Sequence, residues 1–319
     1  MANESPRKLI KFGNSSFIIS LPKEWIERNN LGKGDLIYIT DNEGDLVINS
    51  KENKKSPVKT TITLSIDNKN FDELRREVTS AYISNYNEII FEGKNKKQRR
   101  EAVSEAIKEI IGLEIVDHNN SQTIVKDILD LRAISFEKIT RRLDNVIRSM
   151  FEDIGIVLQN EDFKSLDVKG LKSADTEVNK LYFLIWKVVR KCQEEHAIAK
   201  ELKISTKELS DMQWFSLHME YIGDSLKRIA KLLSSQQIDP KGKKKIVELI
   251  CIFERDYLKA INSHYTNDKQ TARKIATMKK THQKMCTELI SFYPSCGSAG
   301  EKLRALADAI HNIAKIIAY

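Results

Sequence analysis

Residues 212–233, MQWFSLHMEYIGDSLKRIAKLL, decide the fold of the larger part of the chain. Met212, Phe215, Met219, Ile222, Leu226, Ile229 and Leu233 recur at alternating spacings of three and four. That spacing lays one apolar seam along an α-helix, and a seam of this length has to be covered by other helices. The same pattern runs through Ile139, Leu143, Val146, Met150 and Ile154, and again through Leu303, Leu306, Ile310, Ile313 and Ile317. From about residue 130 to residue 319 the reading is therefore helical throughout.

The helical region also repeats itself. Glu220 to Leu233, EYIGDSLKRIAKLL, superposes on Arg304 to Ile317, RALADAIHNIAKII, so that Gly223 falls on Ala307, Asp224 on Asp308 and Leu226 on Ile310. Two tandem three-helix bundles are predicted, over residues 129–236 and 237–319. The first uses helices near 130–160, 170–201 and 207–234, and the second helices near 242–265, 268–292 and 299–318.

Upstream, residues 60–128 alternate strand-like and helix-like segments: VKTTITLSI, FDELRREVTSAYI, NEIIFEG, QRREAVSEAIKEII, LEIVD and QTIVKDIL. This predicts a small α/β domain with an open sheet and no phosphate-binding glycine loop. A basic cluster, Lys94 to Arg100, lies at the start of its second helix, where the helix dipole disfavours cations. It reads most simply as a solvated face. Residues 51–59, KENKKSPVK, are polar, basic and interrupted by proline, as a linker is.

Residues 1–50 read as short strands around one short helix. Leu9, Phe12, Phe17 and Ile19 mark two strands broken by Gly13-Asn14-Ser15, and Pro22 opens a helix over KEWIERNN that Leu31-Gly32 closes. A hairpin follows, DLIYIT and DLVINS around Asp41 to Gly44.

The bulk properties fit several domains, since 319 residues exceed one ordinary core. Hydrophobic residues make up 41% and charged residues 31%, and the net charge of +8 favours polyanionic partners. The four cysteines, Cys192, Cys251, Cys286 and Cys296, form no CxxC pair and are expected to be reduced thiols. No stretch is long and apolar enough for a membrane span or an export signal, so a cytoplasmic protein without membrane insertion is expected.

The segment from Arg7 to Ile48 resembles the AbrB/SpoVT family of swapped-hairpin domains. The resemblance rests on the basic start Arg7-Lys8, the Gly13-x-Ser15 turn, the Leu21-Pro22 step into a helix with Trp25, the Leu31-x-Lys33-Gly34-Asp35 element and the closing hairpin. It implies an N-terminal β-barrel formed by two interleaved chains, hence a homodimer, that binds double-stranded DNA through basic side chains. A segment this short closes little core alone, which agrees with interleaving. On the first strand Arg7, Lys11 and the intervening Leu9 are read as alternating, so that a basic face stands opposite an apolar one, with Lys8 turned the other way. Asn14 and Ser15 are expected at the tip, and Lys23 and Arg28 on the helix complete the predicted DNA contacts. Relatives of this domain include antitoxins, whose tails are short and disordered, unlike the long folded tail expected here.

The helical region resembles PhoU, the phosphate-uptake regulator family, in Arg141 to Ile154, Ser173 to Arg190 and His218 to Leu233 with its repeat copy. That resemblance implies two PhoU-like bundles and a Glu/Asp-x-x-x-Asp motif that holds divalent or iron/zinc-type metal ions on the bundle surface. Glu220 and Asp224 match the motif and share one helix face. Heptad phase puts them on the outer side, with no lysine paired to them. Asp144 and Asp175 are further candidate ligands, as are Asp153, His218 and His311 more remotely, and His282/Cys286 has ligand-like spacing. In the repeat copy Arg304 replaces the first acid, so Asp308 is expected to bridge to Arg304 and to bind metal weakly or not at all.

Together these readings imply a non-enzymatic DNA-binding transcriptional regulator of phosphate uptake and homeostasis, with a sensory or metal-binding helical domain. The alternative is an adaptor for a phosphate-transporter or phosphate-signalling component that uses the N-terminal barrel only to dimerise. A di-metal enzyme would need inward Glu-x-x-His pairs, which the sequence lacks.

Overall fold

The computed structural model describes residues 6–14, 16–42, 45–50, 60–160, 163, 166–235 and 238–319. The chain divides into two compact units, Met1–Val58 and Lys59–Tyr319.

In the first unit β1 (Ile10–Phe12) pairs antiparallel with β2 (Ser16–Ile18). Gly13 takes a left-handed φ of +68° in the intervening turn, which glycine adopts without steric cost. The short helix α1 (Lys23–Arg28) starts after Pro22 and ends where Asn30 turns left-handed at φ +52°. Helix and second hairpin are joined by the Ser50 hydroxyl, which donates to Asn29 Oδ1 at 2.9 Å. In that hairpin, β3 (Tyr38–Asn42) and β4 (Asp45–Asn49), the first strand runs two residues past its expected end at Thr40, with Asp41 facing Leu46 and Asn42 facing Asp45. Residues 43 and 44 of the predicted turn lie outside the described residues, as do Ser15 and the predicted linker 51–59.

None of the side chains described in this unit is buried. Leu9, Ile10, Phe12, Phe17, Leu36, Ile39 and Leu46 are all more than half exposed. Apolar surface on this scale in a single module marks an interaction site.

The second unit begins with a four-stranded mixed sheet. β5 (Thr61–Ser65) and β6 (Glu88–Glu92) are parallel and joined through α2 (Phe71–Ile83); α3 (Lys96–Ile107) then leads to the hairpin of β7 (Leu113–His118) and β8 (Gln122–Asp127). The order is β5-β6-β8-β7, with β8 antiparallel to β6. Alternation puts Leu64, Ile89, Phe91 and Val125 on one face, buried against Leu74, Val78 and Tyr82 of α2 and Val103 and Ile107 of α3. Asn70 and Glu73 form a reciprocal capping box at the start of α2. The basic cluster at α3 is not wholly a solvated face. Arg99 is fully buried and donates to the Asn119 and Asn120 carbonyls and to Thr123 Oγ1, tying α3 to the β7–β8 hairpin.

The helical part comprises α4 (Phe136–Asn160), α5 (Val168–Glu194), α6 (His196–Glu201), α7 (Thr206–Ser234), α8 (Pro240–Thr266), α9 (Lys269–Thr277), α10 (Lys279–Phe292) and α11 (Gly297–Ala318). Asp167, Ser205, Asp239 and Asp268 cap α5, α7, α8 and α9 through side-chain acceptors, and Pro240 sits at the first turn of α8. Two predicted helices are divided: 170–201 into α5 and α6 at Glu195, and 268–292 into α9 and α10 at Met278. The seam of α7 is buried from Phe215 to Leu233, with Met212 packed at its edge.

Two tandem three-helix bundles were expected, and the buried residues of α4 to α11 form one continuous core. The physical reason is a second apolar side on α7 and α11. Ser216, Gly223 and Ala230 on α7, and Ala299, Ala307 and Ala314 on α11, are buried beside the seam, and such small residues let helices approach closely. The sheet is joined to the helices by a buried ion pair. Lys187 Nζ of α5 lies 2.8 Å from Asp127 Oδ2 and donates to the Tyr82 carbonyl at 3.1 Å. Among the described residues no helix is long and apolar enough to cross a membrane, and the four cysteines are free.

Candidate functional site

In the first unit Arg7, Lys8, Lys11, Asn14, Lys23 and Arg28 are all exposed. Arg7 and Lys8 precede β1, Lys11 lies within it, Asn14 follows the Gly13 turn, and Lys23 and Arg28 open and close α1. Lys23 sits 3.5 Å from Glu27, an exposed pair that leaves the amine free to exchange for another anion. The strand register corrects the expected segregation of faces. Lys11 pairs across from Phe17, while Ile10 and Phe12 pair with Ile18 and Ser16 on the other side. Residues two apart share a face, so Leu9 belongs with Lys11, and the apolar face is Ile10, Phe12 and Ile18.

In the second unit Glu220 and Asp224 of α7 meet Asp175 of α5. Gly223 lies between the two acids, and a Cβ there would stand only 3.3 Å from Val178 Cγ1, so the missing side chain lets the helices close. The acids are consequently half-buried against α5 and not on a free outer face. Nor do they lack a lysine: Lys227 Nζ lies 2.7 Å from Asp175 Oδ2 and 2.9 Å from Asp224 Oδ1, and Arg228 Nε lies 2.6 Å from Asp224 Oδ2. Spacings of three and four after Asp224 made both partners legible in the sequence.

This arrangement drives the acids apart electrically. Burial pushes the Glu220 carboxyl up to about 7, helped by the negative charges of Asp224 and Asp175. Burial also raises Asp175, and the hydrogen bond and charge of Lys227 offset only part of that rise. At Asp224 burial acts in the same upward direction, yet Lys227 and Arg228 outweigh it and hold the carboxyl low. Asp175 Oδ1 is buried without a partner, as are Trp186 Nε1 of α5 and His218 Nδ1 of α7.

The other predicted ligands go elsewhere. Asp144 of α4 accepts from Tyr257 Oη at 2.7 Å, Tyr265 Oη at 3.2 Å and Arg148 Nε at 2.8 Å, and so fastens α4 to α8. Asp308 bridges to Lys279 at 3.2 Å and accepts from Gln283; Arg304 turns to Glu301 and Thr287, so the expected Arg304–Asp308 bridge is not formed. His311 is fully buried, with Nε2 lying 3.1 Å from Nδ1 of His282. His282 Nε2 lies in turn 3.2 Å from Asp256 Oδ2, and this Asp–His–His chain replaces any His282/Cys286 pairing. Twenty-six residues separate Asp256 from His282, and no local spacing announces the contact.

For a metal ion the donor set is not assembled in this conformation. Among the described residues no three His, Cys, Asp or Glu side chains converge as one ion would require, and the Lys227 ammonium takes the place of a cation between Asp175 and Asp224.

The class defined by these elements is a multi-domain protein with an N-terminal strand module, a small mixed sheet and a large helical region. Comparison with known families adds one particular: the model described as antidote-toxin recognition MazE, bacterial antitoxin, matches residues 10–59. Its fold is of the AbrB/SpoVT-like swapped-hairpin kind, in agreement with the resemblance read from the same segment. No curated protein and no solved structure matches the chain.

Proposed function

We propose that this protein is a dimeric DNA-binding transcriptional regulator whose helical region is its sensor. The observation that carries the reading is the N-terminal unit itself. It matches an AbrB/SpoVT-like family model over residues 10–59, exposes most of its apolar side chains, and presents Arg7, Lys8, Lys11, Asn14, Lys23 and Arg28 to solvent. A second copy would cover the apolar side chains, and a phosphate backbone would meet the basic ones.

The sensor is assigned to phosphate homeostasis on the PhoU resemblance of residues 130–319, supported by the repeated helix that recurs as α7 and α11. Within this reading a divalent or iron/zinc-type ion enters at Asp175, Glu220 and Asp224 by displacing the Lys227 ammonium, and Asp175 Oδ1, which has no partner, is the acceptor that favours it. The matched family's description, toxin recognition, would suit a chain that ended near residue 59. Here a 261-residue unit with its own core follows, which favours a regulator with a sensing half.

The test is duplex binding by the full chain as a function of salt. Each true phosphate contact contributes about one to the slope of log affinity against log salt, so Arg7→Ala, Lys11→Ala, Lys23→Ala and Arg28→Ala should each flatten the slope by about one. Retention of the parental slope by all four variants would overturn the contact assignment. Absence of any salt-dependent duplex binding by the parent would favour the adaptor, in which the N-terminal unit only dimerises.

A further inference from the structure

Between α8 and the pair α9–α10, where the predicted single helix divides at Met278, the second unit opens into a crevice of about 540 Å³. Its rim carries three cations, Arg255 and Lys259 of α8 and Lys274 of α9. Its one carboxylate, Asp256, is already engaged by His282 and stands 4.0 Å from the Arg255 guanidinium. Among the described residues Lys259 and Lys274 have no carboxylate within ion-pair distance. The lining therefore keeps an unneutralised positive charge at its mouth.

The walls are of a different kind. Ile252, Ile275, Met278 and Met285 face the crevice, and Met278 is 39% exposed although it is a large apolar side chain. A volume of this size lies in the roughly 300–1,000 Å³ range of small-molecule sites and far above the ~30 Å³ share of one water. An inorganic ion would leave most of it unfilled. Methionine walls adapt to irregular apolar shapes, while a cationic rim fixes an anionic end.

We propose that this crevice binds a small organic anion, an apolar body carrying one carboxylate or phosphate group. The head group is held by Lys259 and Lys274, with Arg255 beside them, and the body lies against Met278, Met285, Ile252 and Ile275. Binding there would brace α9 and α10 against α8, and hence against the core that α8 shares with α4 and α11. The site requires nothing of residues 6–50, so it stands whether or not the chain binds DNA.

The experiment labels the methionine methyl groups of the full chain with carbon-13 and titrates octanoate, octyl phosphate and octylammonium. Six methionines give few enough signals to assign Met278 and Met285 through Met278→Leu and Met285→Leu. Octanoate or octyl phosphate should move these two signals saturably and together, leaving the others in place, and the stronger of the two identifies the head group. Lys259→Glu/Lys274→Glu, at two exposed positions, should weaken that binding about tenfold or more. Octylammonium should leave both signals unmoved. No movement with either anion, equal movement with octylammonium, or an unchanged affinity in the doubly substituted protein would overturn the proposal.

Discussion

Glu220→Gln isolates the electrical tension in the α5–α7 cluster. The carboxyl is raised from 4.5 to about 7, first by burial and then by Asp224 and Asp175. Between those two pH values the folded chain keeps a proton that the unfolded chain releases, so stability declines as pH rises through this window. Below pH 4.5 the side chain is neutral in both states and costs nothing; above pH 7 the folded state bears the whole penalty. At about 1.36 kcal/mol per pH unit the ceiling is roughly 3 kcal/mol, and the solvent that still reaches this half-buried group reduces it to about 1–2 kcal/mol. Glutamine cannot ionise and keeps the shape. In metal-free buffer the variant should therefore gain about 1–2 kcal/mol over the parent at pH 8.5 and close to nothing at pH 4.5, read from urea unfolding followed by helical circular dichroism. A stability difference equal at the two pH values would show that Glu220 is not held in a shifted state, and the account of the cluster would fail.

Three other outcomes are expected. Lys187→Met should cost about 3–5 kcal/mol, because it strands the buried Asp127 carboxylate at the joint between sheet and helices, and Lys187→Met/Asp127→Asn should recover part of that loss in the same unfolding assay. Ile10→Glu/Ile18→Glu, on the apolar face of β1–β2, should raise the dimer dissociation constant about a hundredfold or more in sedimentation equilibrium, and a parental value would refute dimerisation through that face. Elemental analysis after mild purification should find metal in the parent and little in Glu220→Gln/Asp224→Asn; equal content in the two would remove the metal from the proposal.

Legibility in the sequence followed the range of the interaction. The helices and strands were readable because periodicity is local: the seam from Met212 to Leu233 and the alternation in EIIFE each dictate a buried face regardless of what covers it. The coarse order of strand module, mixed sheet and helical region follows from that alone. What covers a face is a long-range matter. Heptad phase placed Glu220 and Asp224 outside because it counts one partner per helix, whereas α7 has neighbours on two sides, and the small residues Ser216, Gly223 and Ala230 were the overlooked sign of the second. The same limit hid the destination of Asp144, whose tyrosine partners lie more than a hundred residues away. Lys227 and Arg228 were within sight, at the third and fourth positions after Asp224.

The repeat explains why the two halves of the helical region diverge in chemistry while keeping one packing plan. The offset that carries Asp224 onto Asp308 also carries Lys227 onto His311. In α7 that position bears a permanent cation, which closes the gap between Asp175 and Asp224 and leaves no room for a ligand unless it moves. In α11 the position bears an imidazole that burial, with the neighbouring His282, pushes down to about 4, so it stays neutral near physiological pH. A neutral ring cannot neutralise a carboxylate, and His311 instead stacks on His282 with ring centroids 5.0 Å apart, while His282 reaches Asp256. The α7 copy thus meets its acids with an internal cation and is shut. At the α11 copy the acid partnered through the histidines, Asp256, lies on α8 and lines the crevice between α8 and α9–α10. The exchange of Lys227 for His311, beside that of Glu220 for Arg304, leaves Asp308 without a cation three residues on along its own helix, and Lys279 of α10 neutralises it instead.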